Sequence, residues 1–495
     1  MALSSSIVWE VRTSATASNA NGGGFKTGAS GTDYSQQDAA QYNLTGVTTA
    51  AADAILLHAS AAAVMVGNIA HITGGTNFTI GWYEIISVVA GVSITLDRNC
   101  TTAAGAAGVV NIGGALSMAS TLDDDAFEAC VAGNIWYIKA GTYALGEGVA
   151  VSVGVGTAAS PVKIYGYQTT RGDNPTGTNR PLFALGANTF TPATYWHIFN
   201  MRFTGTGTNV LAGGSENVIV NCKANNSSTT SARNALNTGG GDSFLFNCEG
   251  QSNRGRGFGT GARISIFGNF LHDSNVGCAQ TSTSQTDFSN NIISACRSAA
   301  IAFTGAATSI NTIKNNTLYG YETPTGIGIS LATGNQNIRV LNNIIYGFAT
   351  GVDHADTQTE GFDDYNDYFN NTADVSAAGE WQKGDHDVAT NPAFTSVSEV
   401  SGTAGAFAAA GSKLVDTTKN FTALGVVAGQ DFVYIVSGTG VTLNTNDYHY
   451  AISSISTTTN PNDTLNLDSS PGTDATADKV YRITIGHNFA ISGAI

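Results

Sequence analysis

The chain has 495 residues, with 59 Gly against 8 Pro, only 12% charged residues and a formal net charge of −15. That length exceeds one ordinary core, and the composition describes a turn-rich β protein rather than a disordered chain. The acidic balance argues against nucleic acid or an anionic membrane surface as partner. The longest apolar stretch, residues 54–66, is Ala-rich and broken by His58 and Ser60, so no membrane insertion is expected. Residues 1–12 lack a basic region followed by an apolar run, and no secretory signal is read there. The six cysteines show neither CxxC spacing nor disulfide density.

In chain order, residues 1–45 read as an N-terminal arm: a short strand-like run, Ile7 to Arg12, then a Gly/Ser/Thr/Asn-rich segment. Such a segment has too little apolar surface to fold alone and reads either as a flexible leader or as a docking arm ordered by packing on something else. Residues 46–116 read as a small β module of short alternating strands, a barrel or sandwich. Residues 399–495 repeat it: Tyr83-Glu84-Ile85-Ile86-Ser87-Val88 matches Tyr450-Ala451-Ile452-Ser453-Ser454-Ile455, and Val110-Asn111-Ile112-Gly113 matches Ile483-Thr484-Ile485-Gly486.

Residues 117–398 lie between the modules. Asp123-Asp124-Asp125 ahead of Ala126 reads as the acidic start of a short capping helix. Beyond it a short signature recurs seven times, led by Asn221, Asn247, Gly268, Asn290, Asn315, Asn342 and Asn366, at intervals of 26, 21, 22, 25, 27 and 24. A period of twenty-odd residues flanked by alternating apolar residues signals a solenoid of strands and turns. One coil of a parallel β-helix has this length and content, and equivalent residues stack about 4.8 Å apart. The expected structural ladder comprises Asn221, Asn247, Asn269, Asn290, Asn291, Asn315, Asn316, Asn342, Asn343 and Asn366, with Asp367 replacing Asn in the last copy. The fold class expected is all-β: a parallel β-helix between two related small β modules.

The Ile-Lys-Ala-Gly-Thr-Tyr run at 138–143, the Ile-Tyr-Gly-Tyr…Arg-Gly-Asp segment at 164–173 and the Asn-Asn-Ile-Ile rungs resemble the right-handed parallel β-helix, pectate-lyase-like superfamily. The leader, with Trp9-Glu10-Val11-Arg12-Thr13, a Gly-Gly-Gly-Phe turn and Asp33 to Asp38, resembles that of β-helical virion proteins of tailed phages. The resemblance implies a homotrimeric spike or capsid-decorating protein, located on the virion and made in the host cytoplasm. Its partners would be other virion proteins and host surface polysaccharide. The alternative it implies is a tailspike-type depolymerase, hydrolase or lyase, using a carboxylate pair on the β-helix.

The candidate acids for such a pair are Asp353, Asp356 and Asp273; Arg254, Arg256 and His272 would grip an acidic sugar. Asp363, Asp364 and Asp367 would either support the ladder or hold Ca²⁺, with no other cofactor expected. The chain carries neither the Arg-x-Pro-x-x-Arg of pectate lyases nor the Asn-Thr-Asp…Asp-Asp…Gly-His-Gly set of polygalacturonases, which argues against cleavage.

Overall fold

The computed structural model describes residues 3–117, 127, 129–145, 149–150 and 156–491, apart from residues 229, 231–232, 240, 262, 281–284, 305–309, 323, 335–336, 356–360, 377–380, 409–411, 442–448 and 457–463. The helix cap read at Asp123 to Asp125 lies outside these residues. The chain forms two compact units, Met1–Thr204 with Ala212–Lys223 and Gly205–Leu211 with Ala224–Ile495.

In the first unit the strands Ile7–Val11, Ile135–Lys139, Val162–Tyr167, Trp196–Phe199 and Val218–Val220 stack in parallel as successive rungs of one sheet. The leader expected to be a docking arm therefore supplies the first rung. Trp9 lies in register with Trp136, their rings stacked 4.9 Å apart. The neighbouring Glu10 is fully buried, which is tolerable only with charged and hydrogen-bonding partners. It accepts from Arg12 Nε at 2.8 Å, from Arg171 Nη2 at 2.6 Å and from the Tyr167 hydroxyl. Nothing in the local pattern of residues 7–11 reveals a partner more than a hundred residues downstream.

Between those first two rungs the chain builds a closed six-stranded barrel from Tyr42–Thr49, Ile55–Leu57, Ile69–Phe78, Gly81–Val89, Ser93–Leu96 and Thr101–Ile112. In the second unit, Phe394–Phe407, Lys413–Val415, Phe432–Ser437, His449–Ile455, Thr464–Leu467 and Lys479–Ile491 close a second barrel with the same strand order. Closure removes the exposed edges that small sheets otherwise carry. Equivalent inward residues, such as Leu56 and Leu414 or Ile85 and Ile452, are buried in both.

The rest of the second unit is a parallel β-helix of three sheets. The first holds Ser243–Phe246, Ile264–Phe267, Thr286–Ser289, Asn311–Lys314, Ile338–Leu341 and Phe362–Asp364. The second runs from Glu249–Ser252 to Asp367–Phe369 and the third from Asn234–Thr238 to Ala373–Val375. Alternation sends Leu245, Ile266, Phe288, Ile313 and Val340 of the first sheet into the core.

The repeated Asn pair turns the chain from the first sheet to the second, and its two members do different work. Leading residues Asn221, Asn247, Gly268, Asn290, Asn315, Asn342 and Tyr365 all take positive φ, from 52° to 66°. That left-handed turn conformation favours Gly and Asn. The following residues form the buried ladder. Asn269, Asn291, Asn316 and Asn343 each donate Nδ2 to the Oδ1 of the next Asn at 2.9–3.0 Å. Each also donates to a main-chain oxygen, that of Leu245, Ile266, Phe288 and Ile313 respectively. The last rung differs from expectation by one residue. Ile344 pairs with Asp367, so Asn366 stands over Asn343 and Tyr365, not Asn366, leads the turn. Asp367 is outside the ladder; Asp387 ends it, accepting the Asn366 main-chain N–H at 2.6 Å.

Candidate functional site

The acids singled out in the sequence do not converge. Asp273 and His272 are buried where the second barrel packs on the β-helix. His272 Nδ1 bonds Asp273 Oδ2 at 2.8 Å and its Nε2 bonds Glu249 Oε1 at 3.1 Å. His449, from the barrel, lies 4.0 Å from Asp273 and bonds the Tyr321 hydroxyl at 3.0 Å. Burial pulls the His272 imidazolium down, but the bonds to Asp273 and Glu249 outweigh it and raise its pKa to about 9. The same burial takes His449 down to about 4, so it is neutral at pH 7. This buried network joins the barrel to the β-helix and is closed to a polymer. Arg254 and Arg256 lie half-buried at the turn from the second sheet to the third.

Asp353 stands half-buried on the third sheet, beside Ser330, and Asp356 lies outside the described residues. Asp363, Asp364 and Asp367 point to three different places. Asp363 accepts from the Tyr368 hydroxyl at 2.6 Å, from Trp381 Nε1 at 2.7 Å and from Asn366. Burial pushes its pKa up to about 7, against the Tyr368 and Trp381 bonds and with the charge of Asp387 adding to the rise. Asp364 bonds His386, and Asp367 accepts the Thr390 main-chain N–H. Among the described residues no three His, Cys, Asp or Glu side chains are grouped to hold a metal ion. The six cysteines are buried and form no disulfide.

What the structure does assemble is the outward face of the first sheet in the second unit. The alternation that buries Leu245 and Ile266 turns Phe244, Phe246 and Phe267 to solvent, 36–39% exposed. Register places Phe246 beside Phe267, rings 5.4 Å apart, and Phe244 beside Ser265. Next to them a groove of about 330 Å³ is lined by Asp242, Phe244, Arg263, Ser265, Gln285 and Asp287. Arg263 bonds Asp242 at 2.5 Å and Lys314 bonds Asp287 at 3.3 Å.

Farther along the same face a second groove, of about 440 Å³, is lined by Ile310, Asn337, Arg339, Leu341 and Phe362. The register Ser265, Asp287, Thr312, Arg339 sets Arg339 three rungs from Ser265, roughly 14 Å along the axis.

Neither a protein-family model nor a curated protein matches the chain. Solved structures similar to it include pectate lyase Pel9A, at 14% identity over 55% of this chain and 76% of that one, with a TM-score of 0.39. The Dettilon tailspike protein matches at 12% identity over 71% and 87% of the two chains, TM-score 0.29. The catalytic unit of the thermostable GH87 α-1,3-glucanase from Streptomyces thermodiastaticus strain HF3-3 matches at 12% over 72% and 89%, TM-score 0.29. The parallel β-helix itself rests on this chain's own sheet topology.

Sequence reasoning missed Phe244, Phe246, Phe267, Asp242, Asp287 and Arg339. A signal for the phenylalanines was present. In Phe244-Leu245-Phe246 one parity must face inward, so either Leu245 or both phenylalanines are exposed. The buried residue after the leading Asn fixes which. The three rings form one exposed aromatic patch on that face.

Proposed function

We propose that this protein is a β-helical virion surface protein of spike type that binds host surface glycan along the outward face of its first sheet. The observation that carries the reading is the Phe244, Phe246 and Phe267 cluster, edged by Arg263, Asp242, Gln285 and Asp287. Flat aromatic rings take the apolar faces of sugars, while charged and amide groups beside them satisfy ring hydroxyls. The rungs repeat every ~4.8 Å, so a linear polymer lying along the axis meets the outward side chains of a new strand at each step.

Attachment through the N-terminal region is supported by the first barrel. It exposes Ile55, Leu57, Ile86, Val89 and Val92. At the positions of Ile55, Ile86 and Val89 the second barrel carries Lys413, Ser453 and Ser456. The barrel fold therefore does not require that apolar face, which suits contact with another protein chain of the particle. Assembly as a homotrimer belongs to the same reading.

A second reading, depolymerase, is favoured by one observation: Asp242 and Asp287 line the same groove, one entering the Ser243–Phe246 strand and the other two rungs on. Two carboxylates on one groove are the minimum such an enzyme needs. The test uses purified protein and host surface polysaccharide, reading binding, reducing ends and unsaturated-sugar absorbance. Binding without cleavage, lost in Phe246→Ala/Phe267→Ala, is expected. Cleavage lost in Asp287→Asn with binding kept would establish the second reading, and no binding to any host glycan would end both.

A further inference from the structure

The C-terminal barrel carries a cavity with charged and hydroxyl groups in its walls. It encloses about 430 Å³ and is lined by Glu399, Ser401, Thr403, Thr418, Lys419 and Arg482, among others. That volume lies in the range of small-ligand sites, roughly 300–1,000 Å³.

The Glu399 side chain is only 4% exposed. Its Oε2 has no hydrogen-bond donor among the described residues, and Arg482 Nε stands 3.9 Å from Oε1. Burial holds the carboxyl above its ordinary range, with Arg482 and a main-chain hydrogen bond from Glu322 acting against the rise, so the want of a donor is confined to Oε2. A buried acceptor without a donor is costly, so its persistence points to a donor brought by a ligand.

Hydrogen bonds tie the walls together. Tyr481 donates its hydroxyl to Asp416 at 2.7 Å, and Asp416 also accepts from the Thr418 hydroxyl at 2.6 Å, fixing the rim beside Lys419. Arg482 lies over the Tyr321 ring at 5.2 Å and reaches Thr325 Oγ1 at 3.4 Å.

The duplicated barrel supplies an internal control. Strand register equates Glu399, Ser401, Tyr481 and Arg482 with Asn43, Thr45, Gly108 and Val109. The first barrel closes without an acid, a cation or a tyrosine at these places, so barrel closure does not account for them.

We infer that the cavity bounded by Glu399, Lys419 and Arg482 is a binding site for a single sugar unit, separate from the groove on the β-helix. A sugar hydroxyl both donates and accepts. One would donate to Glu399 Oε2, while neighbours accept from Lys419 and Arg482, and Ser401 and Thr403 serve either role. A monovalent cation would use Glu399 but leave Lys419 and Arg482 opposed to it.

The test uses the full chain carrying Phe244→Ala, Phe246→Ala and Phe267→Ala together, which removes the groove's ring and the two beside it. Methyl glycosides of glucose, galactose and mannose are titrated by saturation-transfer NMR, with Glu399→Gln, Lys419→Ala and, as control, Asn43→Ala added in turn. Saturable binding of at least one glycoside is expected, about tenfold weaker in Glu399→Gln and in Lys419→Ala and unchanged in Asn43→Ala. No saturable binding, or binding indifferent to both substitutions, overturns the site and leaves the groove reading untouched.

Discussion

Replacing Asn316 by Ala would delete four hydrogen bonds at once from the middle of the ladder. Its Nδ2 donates to Phe288 O at 3.0 Å and to Asn343 Oδ1 at 2.9 Å. Its Oδ1 accepts the main-chain N–H of Asn291 at 2.9 Å and Asn291 Nδ2 at 3.0 Å. Asn343 Oδ1 keeps the Asn316 main-chain N–H and Asn291 Nδ2 keeps Ile266 O, but the Asn291 main-chain N–H loses the acceptor it had in the ladder. At about 1 kcal/mol per neutral bond, with the stranded group adding to that, the loss comes to about 3–5 kcal/mol. Asn315, next in sequence, is exposed and holds φ 55°, so Asn315→Gly keeps the turn and is expected within about 1 kcal/mol of wild type. Urea unfolding followed by far-UV circular dichroism measures both. A midpoint for Asn316→Ala no lower than that for Asn315→Gly would refute the claim that the inner column, rather than the turn, carries the stability.

Four further outcomes are expected. Phe246→Ala/Phe267→Ala should leave the melting temperature nearly unchanged, because the rings are outward, yet weaken glycan binding about tenfold or more in affinity electrophoresis; unaltered binding would move the site elsewhere. His272 has a folded pKa raised from 6.5 to about 9, so its contribution is fully present below pH 6.5 and lost as pH rises through 9. Unfolding of the second unit should therefore come earlier at pH 9.5 than at pH 7, and His272→Gln should flatten that dependence; an equal slope in the variant would contradict the assignment. All six cysteines are buried, and burial pushes Cys100 to about 11 and Cys130 to about 12, so native protein should resist a thiol-reactive dye until denatured. Substituting Ile55→Lys/Ile86→Ser, residues taken from the second barrel, should preserve melting while lowering attachment to particles lacking the native protein; full attachment would remove that face from consideration.

The sequence by itself determined the β-helix, the duplicated modules and the ladder, because each rests on a short-range pattern. A positive-φ turn accepts Asn or Gly, a strand face alternates with period two, and stacked coils repeat both at a near-constant interval. Even the error at the last rung was a local one: Tyr365 holds the left-handed conformation that Asn or Gly usually takes, so counting Asn residues slipped the register by one. Tertiary structure alone decided what each polar residue does. His272 and Asp273 looked like a surface pair until a barrel nearly two hundred residues away in sequence covered them with His449. Glu10 looked like part of a loose leader until Arg171 reached it. Exposure, and hence the candidate site, depends on which segment returns to cover a face, and that information lies in no window of the chain.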